Sequence, residues 1–191
     1  MNDETFGVLN AVYLRKIATA EVVRECTGLG PEVIRAALDG AVAAGLVEDL
    51  GGQFMLNDDG TQAVRDGYGE RYTPLRSEPD VENWYQRFET LNAQFLQTIS
   101  AWQTSGDDGQ LEKLLKLVER QIRALGTISA TIPRYGFYAE RFTRALSLVE
   151  EGKTEFVTSP TQDSIHNVWF EFHEDILTLL GRPRDVAEGH G

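Results

Sequence analysis

The chain is short of cysteine, of long apolar runs and of positive charge. Its 191 residues include one cysteine, Cys26, which rules out an intramolecular disulfide framework and a multi-cysteine zinc site. No apolar stretch reaches the roughly 18 to 20 residues that a membrane span needs, and the start, Met1–Glu4, is acidic where a secretory signal is basic. We therefore expect a cytoplasmic protein without a membrane segment.

The shortage of positive charge bears on function. Lys and Arg number 18 against 30 Asp and Glu, so the formal net charge is −12, while the 41% hydrophobic content is that of an ordinary globular protein. This length suffices for one compact domain or two small ones. A protein that binds nucleic acid needs cations against the phosphates, and this composition offers few of them.

The N-terminal third predicts short helices followed by a hairpin. Apolar residues at spacings of three and four predict a helix from Thr5 to Ala18, and Thr19 is a good N-cap for a second one. Pro31 can open a third helix that ends near Ala44. Two short strands, Leu46–Asp49 and Gln53–Leu56, flank a Gly-Gly turn, and a short helix follows to about Arg65.

The remainder of the chain predicts long amphipathic helices. Their apolar residues recur at three and four, and the segments are Val81 to near Ser105, Leu111–Leu125, Tyr135–Glu151 and Asp163–Leu180. Four antiparallel helices of this length can form a bundle. The predicted fold class is mostly α, a winged helix-turn-helix with a small β-hairpin wing followed by a four-helix domain. The predicted boundaries are 1–70 for the first domain, 71–80 for a linker, 81–181 for the bundle and 182–191 for a flexible tail.

Two family resemblances accompany these patterns. Residues 5–66 resemble the MarR-like bacterial winged-helix regulators in the helix and turn Thr19–Leu29, the recognition-helix position Pro31–Ala44 and the junction Ala44–Val47. Tyr85–Trp102 and Asp163–Asp175 resemble an actinobacterial helical module. That module occurs with winged-helix segments and beside phosphoenolpyruvate-utilising enzymes of the pyruvate phosphate dikinase type. The resemblances imply a transcriptional regulator or a neighbour of such an enzyme.

Candidate DNA contacts are few. Residues 1–75 hold six basic residues against twelve acidic ones, and the predicted wing has no cation at its Gly51-Gly52 tip. The candidate DNA-binding residues are Arg15, Lys16, Arg24 and Arg35. A homodimer would present this set twice, across two half-sites. Protein contact by an acidic winged helix is the competing interpretation.

The helical half offers candidates for an effector pocket. An aromatic row on one helix face can line a cavity or a dimer interface, or it can simply fill a core. A buried arginine needs a carboxylate or an anionic ligand beside it. The candidate pocket residues are Trp84, Tyr85, Asn92, Arg134, Arg141, His166, Trp169 and His173.

Metal binding and catalysis have weak support in the sequence. His166 and His173 share a helix face but lie about 10 Å apart along its axis, too far to bind one metal ion without ligands from elsewhere. Packed core histidines are the simpler interpretation.

No dinucleotide, phosphate-loop or nucleophile-elbow motif is present, and Cys26 lies on an apolar helix side. We expect no enzyme activity, no metal and no cofactor.

Three functional hypotheses follow from the sequence. The leading one is a dimeric winged-helix transcriptional regulator whose helical domain dimerises and can bind an effector. The second is a winged-helix interaction module that binds a protein partner, such as a phosphoenolpyruvate-utilising enzyme, and not DNA. The third is a small-ligand or metal-binding protein built around His166 and His173.

Overall fold

The computed structural model describes residues 1–183. This part of the chain is mostly α-helical with one small antiparallel sheet, which confirms the coarse fold class. No helix among these residues combines the length and the apolar character that crossing a membrane requires. Of the tail predicted for 182–191, residues 184–191 lie outside the described part.

The described chain divides into two compact units. The first unit comprises Met1–Pro74 together with His173–Pro183, and the second comprises Leu75–Phe172. The sequence prediction placed the division between 70 and 81 and assigned everything to residue 181 to the bundle. In the structure, the end of the last helix packs as part of the first unit.

The first unit alternates helices and strands. Its elements are α1 (Asp3–Arg15), β1 (Ile17–Thr19), α2 (Ala20–Thr27), α3 (Pro31–Ala43), β2 (Val47–Asp49), β3 (Gln53–Leu56) and α4 (Asp58–Tyr72). Side chains cap three of these helices: Asn2 accepts from Thr5 N at 2.8 Å, Thr19 from Val22 N at 3.3 Å and Asn57 from Gly60 N at 2.9 Å. Gly28 ends α2 with a φ of 68°.

The three strands form an antiparallel sheet in the order β1-β3-β2. Ala18 lies opposite Phe54, and Glu48 lies opposite Met55. Strand β1 was not predicted, because Ile17–Thr19 continues the apolar pattern of the preceding helix. Lys16, with a φ of 67°, ends that helix instead.

One apolar core holds the first unit together. Its buried residues come from α1, β1, α2 and α3, and they are Val8, Ala11, Val12, Ala18, Val23, Ile34, Ala37 and Leu38. One side of α3 packs into this core, and the opposite side of the helix is exposed to solvent. The core therefore fixes which residues α2 and α3 can present to a partner.

The second unit consists of long helices. They are α5 (Pro79–Ser105), α6 (Asp108–Ile128), α7 (Tyr135–Glu150), the four-residue α8 (Glu155–Thr158) and α9 (Ile165–Leu180), of which Ile165–Phe172 belongs to this unit. The predicted linker 71–80 is itself structured: α4 continues to Tyr72, a 3-10 helix spans Thr73–Ser77, and Pro79 occupies a first-turn position of α5.

Aromatic rings fill the centre of the second unit. Phe95 stacks on Trp169 at 3.8 Å between ring centroids, and Phe172 meets Trp84 and Phe88 edge to face at 5.8 and 5.0 Å. The rings come from α5 and α9, and Tyr135, Tyr138 and Phe142 of α7 pack against them. Burial of these large side chains contributes to the apolar stabilisation of the unit.

Candidate functional site

The exposed charged residues of α2, α3 and the β2–β3 hairpin are the candidates for a binding surface in the first unit. Every charged residue between Ala20 and Leu56 is exposed. They are the acids Glu21, Glu25, Glu32, Asp39, Glu48 and Asp49, and the arginines Arg24 and Arg35. We call this set the acidic face. Two cations against six carboxylates give it a formal charge of −4.

The two arginines of the acidic face differ in their surroundings. Arg24 donates two hydrogen bonds to the Glu21 carboxylate, and that contact lowers the pKa of the Glu21 carboxyl and raises the pKa of the Arg24 guanidinium. Arg35 forms no ion pair with any residue from 1 to 183. Of the two arginines of the acidic face, Arg35 is therefore the one whose guanidinium is not already paired with a carboxylate of the described chain.

The tip of the hairpin carries no cation. Gly51 and Gly52 turn the chain with φ values of 76° and 90°, which other residues rarely adopt. Asp49 accepts a hydrogen bond from Gly52 N at 2.7 Å, which fixes a carboxylate beside the tip. Leu50 at the tip is also exposed, with 51% of its surface accessible to solvent. A minor-groove contact would require the reverse charge here.

The other two predicted DNA contacts lie at the α1–β1 junction. Arg15 is half-buried, and Lys16 is exposed with its Nζ 4.7 Å from the centre of the Tyr13 ring. Neither residue belongs to α2, α3 or the hairpin. The four candidates therefore come from the α1–β1 junction, α2 and α3, and their role in DNA binding stays a prediction.

Most of the predicted pocket residues are core residues. Six of the eight are buried: Trp84, Tyr85, Asn92, Arg141, Trp169 and His173. Trp169 Nε1 donates to Asn92 Oδ1 at 2.9 Å, and Trp84 Nε1 donates to the Ala124 carbonyl at 2.9 Å. Arg134 is half-buried, with its guanidinium 4.8 Å from the Tyr135 ring. These contacts favour a packing role over an effector pocket, which stays untested.

Arg141 is satisfied by protein carboxylates. Its Nη2 lies 2.6 Å from Asp163 Oδ1 and 2.6 Å from Glu171 Oε2, and its Nε donates to Asp163 Oδ2 at 3.0 Å. All three side chains are nearly excluded from solvent. Because two carboxylates already surround one guanidinium, this cluster has no charge left to attract an anionic ligand.

The two histidines occupy different surroundings. His166 is half-buried with its ring 4.4 Å from Phe170, and burial lowers the pKa of its imidazole, an effect that a hydrogen bond with Asn167 opposes. His173 is buried in the part of α9 that belongs to the first unit. Within residues 1–183, no three His, Cys, Asp or Glu side chains come together to hold a metal ion.

Sequence reasoning missed one row of buried, hydrogen-bonded side chains in the first unit. Tyr68 OH donates to Asn10 Oδ1 at 2.7 Å, and Asn10 Nδ2 lies 3.4 Å from Asp175 Oδ2. All three side chains are buried. They come from α1, α4 and the end of α9, so only the tertiary structure brings them together. Their contacts are those of a structural cluster within the first unit.

No protein-family model, no curated protein and no solved structure matches this chain. The similarity to MarR-like regulators and to the helical module therefore stays a resemblance.

Proposed function

We propose that the first unit is a winged-helix module that binds a basic protein surface rather than duplex DNA. The element order α1-β1-α2-α3-β2-β3-α4 and the sheet order β1-β3-β2 support the winged-helix assignment. The observation that carries the choice of partner is the acidic face, with its formal charge of −4.

Electrostatics disfavours duplex DNA on the acidic face. DNA carries one negative charge per about 1.7 Å of helix axis, and binding gains free energy when cations displace its counterions. Six carboxylates spread over all three elements that would approach the groove oppose that gain. The same carboxylates would attract and orient a basic protein surface.

Exposed apolar side chains on the same elements fit a protein partner. Val42 on α3 and Leu50 at the hairpin tip are 38% and 51% exposed, and Ala36 is exposed on α3. Protein–protein interfaces combine an apolar centre with a polar rim, and these side chains could supply part of such a centre. The resemblance of the helical half makes a phosphoenolpyruvate-utilising enzyme one candidate partner.

A cationic probe tests this proposal. A short amphipathic lysine–leucine peptide is titrated into the full, isotope-labelled chain, and amide shifts are followed by NMR. We expect the shifts to concentrate on α2, α3 and the hairpin. We expect Glu32→Gln with Asp39→Asn to weaken binding about fivefold. The matched control is Asp66→Asn with Glu70→Gln, two exposed acids on α4. Equal weakening by both pairs would contradict a specific acidic face.

Transcriptional regulation is the second candidate function. It is favoured by the position of Arg35, exposed and without an ion pair on the middle of α3. In a dimer, two copies of Arg35 would face two half-sites. For this function, the few cations near α3 would have to attract the DNA phosphates more strongly than the surrounding carboxylates repel them.

A further inference from the structure

The second unit carries a basic groove between two of its helices. The groove has a volume of about 310 Å³, near the lower end of the range for small-molecule sites. Its lining comes from α5 and α6, and the residues are Gln94, Gln97, Thr98, Lys113, Lys116, Leu117 and Arg120. We call it the α5–α6 groove. It has three cations and no carboxylate in its lining, although the chain as a whole has a net charge of −12.

The three cations form a row along α6. Lys113, Lys116 and Arg120 are spaced by three and four residues, so their side chains leave the same side of the helix. The row spans about 10 Å at the helical rise per residue. A ligand that contacts all three must therefore carry negative charge over a comparable length.

These cations retain capacity for a ligand. Lys113 forms no ion pair within the described chain, and Arg120 donates one hydrogen bond, to Gln94 Oε1 at 3.0 Å. Lys116 contacts Glu112 at 2.6 Å, which uses one of its three donors. The neighbouring Glu119 contacts Arg123 at 3.7 Å, and neither residue lines the groove. The side chains that line the groove therefore present mainly hydrogen-bond donors to a ligand.

The rest of the lining narrows the ligand class. Gln97 contributes an amide that makes no hydrogen bond within residues 1–183, and the buried Leu117 contributes an apolar side chain to the lining. None of the lining residues is aromatic, and single-stranded nucleic acids bind largely by stacking on aromatic rings. A single carboxylate would reach one cation of the row, whereas a chain of phosphates reaches several.

We propose that the α5–α6 groove binds the phosphate chain of a small phosphorylated molecule. The row of cations pairs with successive phosphates, and the Gln97 amide donates to an oxygen from the opposite side. The site lies wholly in the second unit and does not rest on the proposed function of the first.

Inorganic tripolyphosphate is the probe, titrated by calorimetry into the full chain, with orthophosphate and sulfate as comparators. We expect tripolyphosphate to bind one site per chain, at least about tenfold more tightly than orthophosphate. We expect Lys113→Gln and Arg120→Gln each to weaken it about tenfold, and Lys113→Arg to retain binding. Arg123→Gln, a cation of the same helix outside the groove, is the matched control and should bind as the parent chain does.

Three results would overturn the proposal. The first is no binding of tripolyphosphate at low salt. The second is an equal loss of binding in Arg123→Gln and Lys113→Gln, which indicates a diffuse charged surface. The third is preferential binding of a poly-glutamate peptide over tripolyphosphate, which indicates an acidic protein partner. Tryptophan fluorescence of each variant checks that the second unit is folded.

Discussion

Between Ala20 and Leu56 the first unit keeps every charged side chain in solvent, whereas the second unit buries Arg141 against Asp163 and Glu171. In the first unit, these exposed charges bear on what can approach the surface, and the buried Asp175 lies beside Asn10 inside the unit. In the second unit, the ion cluster of Arg141 and the aromatic rings hold the helices together. A charged or aromatic residue singled out by the sequence, such as Arg141 or Trp169, can therefore serve packing in this protein.

The largest expected effect breaks the buried ion cluster. Arg141→Met leaves two carboxylates without their cation in a dry site, so we expect the second unit to lose about 3 to 5 kcal/mol of unfolding free energy. Urea unfolding followed by tryptophan fluorescence measures this, because Trp84, Trp102 and Trp169 all lie in the second unit. Arg144→Met, an exposed position on the same helix, is the control. A loss below about 1 kcal/mol would show that the cluster contributes little.

The next effect is confined to the first unit. A Cβ at Gly60 would lie 2.0 Å from the Leu46 carbonyl oxygen, so Gly60→Ala forces the start of α4 away from the hairpin. We expect a loss of about 2 to 3 kcal/mol, measured by amide hydrogen exchange in α3 and α4. Gly69→Ala on the same helix meets open space and should gain up to about 1 kcal/mol. If both variants behave alike, the close approach to Leu46 is not the cause.

A third variant should stabilise the second unit. Gln121 on α6 is fully buried, and neither its amide oxygen nor its amide nitrogen has a hydrogen-bond partner within residues 1–183. An unsatisfied buried amide destabilises the fold by its desolvation cost, and an apolar side chain of similar size avoids that cost. We therefore expect Gln121→Leu to add about 1 to 2 kcal/mol to the unfolding free energy measured in urea. Gln103→Leu, exposed on α5, should change nothing. Destabilisation by Gln121→Leu would mean that the amide bonds to internal water.

The smallest expected effect depends on pH. Because burial lowers the pKa of His166 below its ordinary value of 6.5, the unfolded chain takes up a proton more readily than the folded chain. The contribution of His166 to stability is therefore complete above about pH 6.5 and declines as the pH falls towards the folded pKa. His166→Gln should flatten that decline in urea unfolding curves. An unchanged decline in the variant would assign it to other groups.

The sequence predicted the long helices well because their apolar spacing is a local signal. Apolar residues of α5, α6, α7 and α9 recur at spacings of three and four. The predicted strands of the hairpin match β2 and β3 to within one residue. Strand β1 was missed because three residues are too few to show alternation. The predicted linker 71–80 contains Pro74 and Pro79, and prolines also fit a 3-10 helix and a helix start.

The polar contacts of the candidate sites could not be predicted from local patterns. Arg141 finds Asp163 and Glu171 at separations of 22 and 30 residues, and Asn10 meets Asp175 across 165 residues. Periodicity identifies which side of a helix is buried but not which polar group lies opposite. The charge of the acidic face was predictable, because it needs only the sequence and the helix sides.

The most direct test of the account is binding of labelled duplex DNA to the full chain, followed by fluorescence anisotropy across a range of salt concentrations. One duplex comes from the region upstream of the protein's own coding sequence, and the other is a random duplex of equal length. The acidic face predicts no binding to either duplex, even at low salt. Specific binding that weakens steeply with salt, and is lost in Arg35→Ala, would contradict the account and assign α3 to the DNA groove.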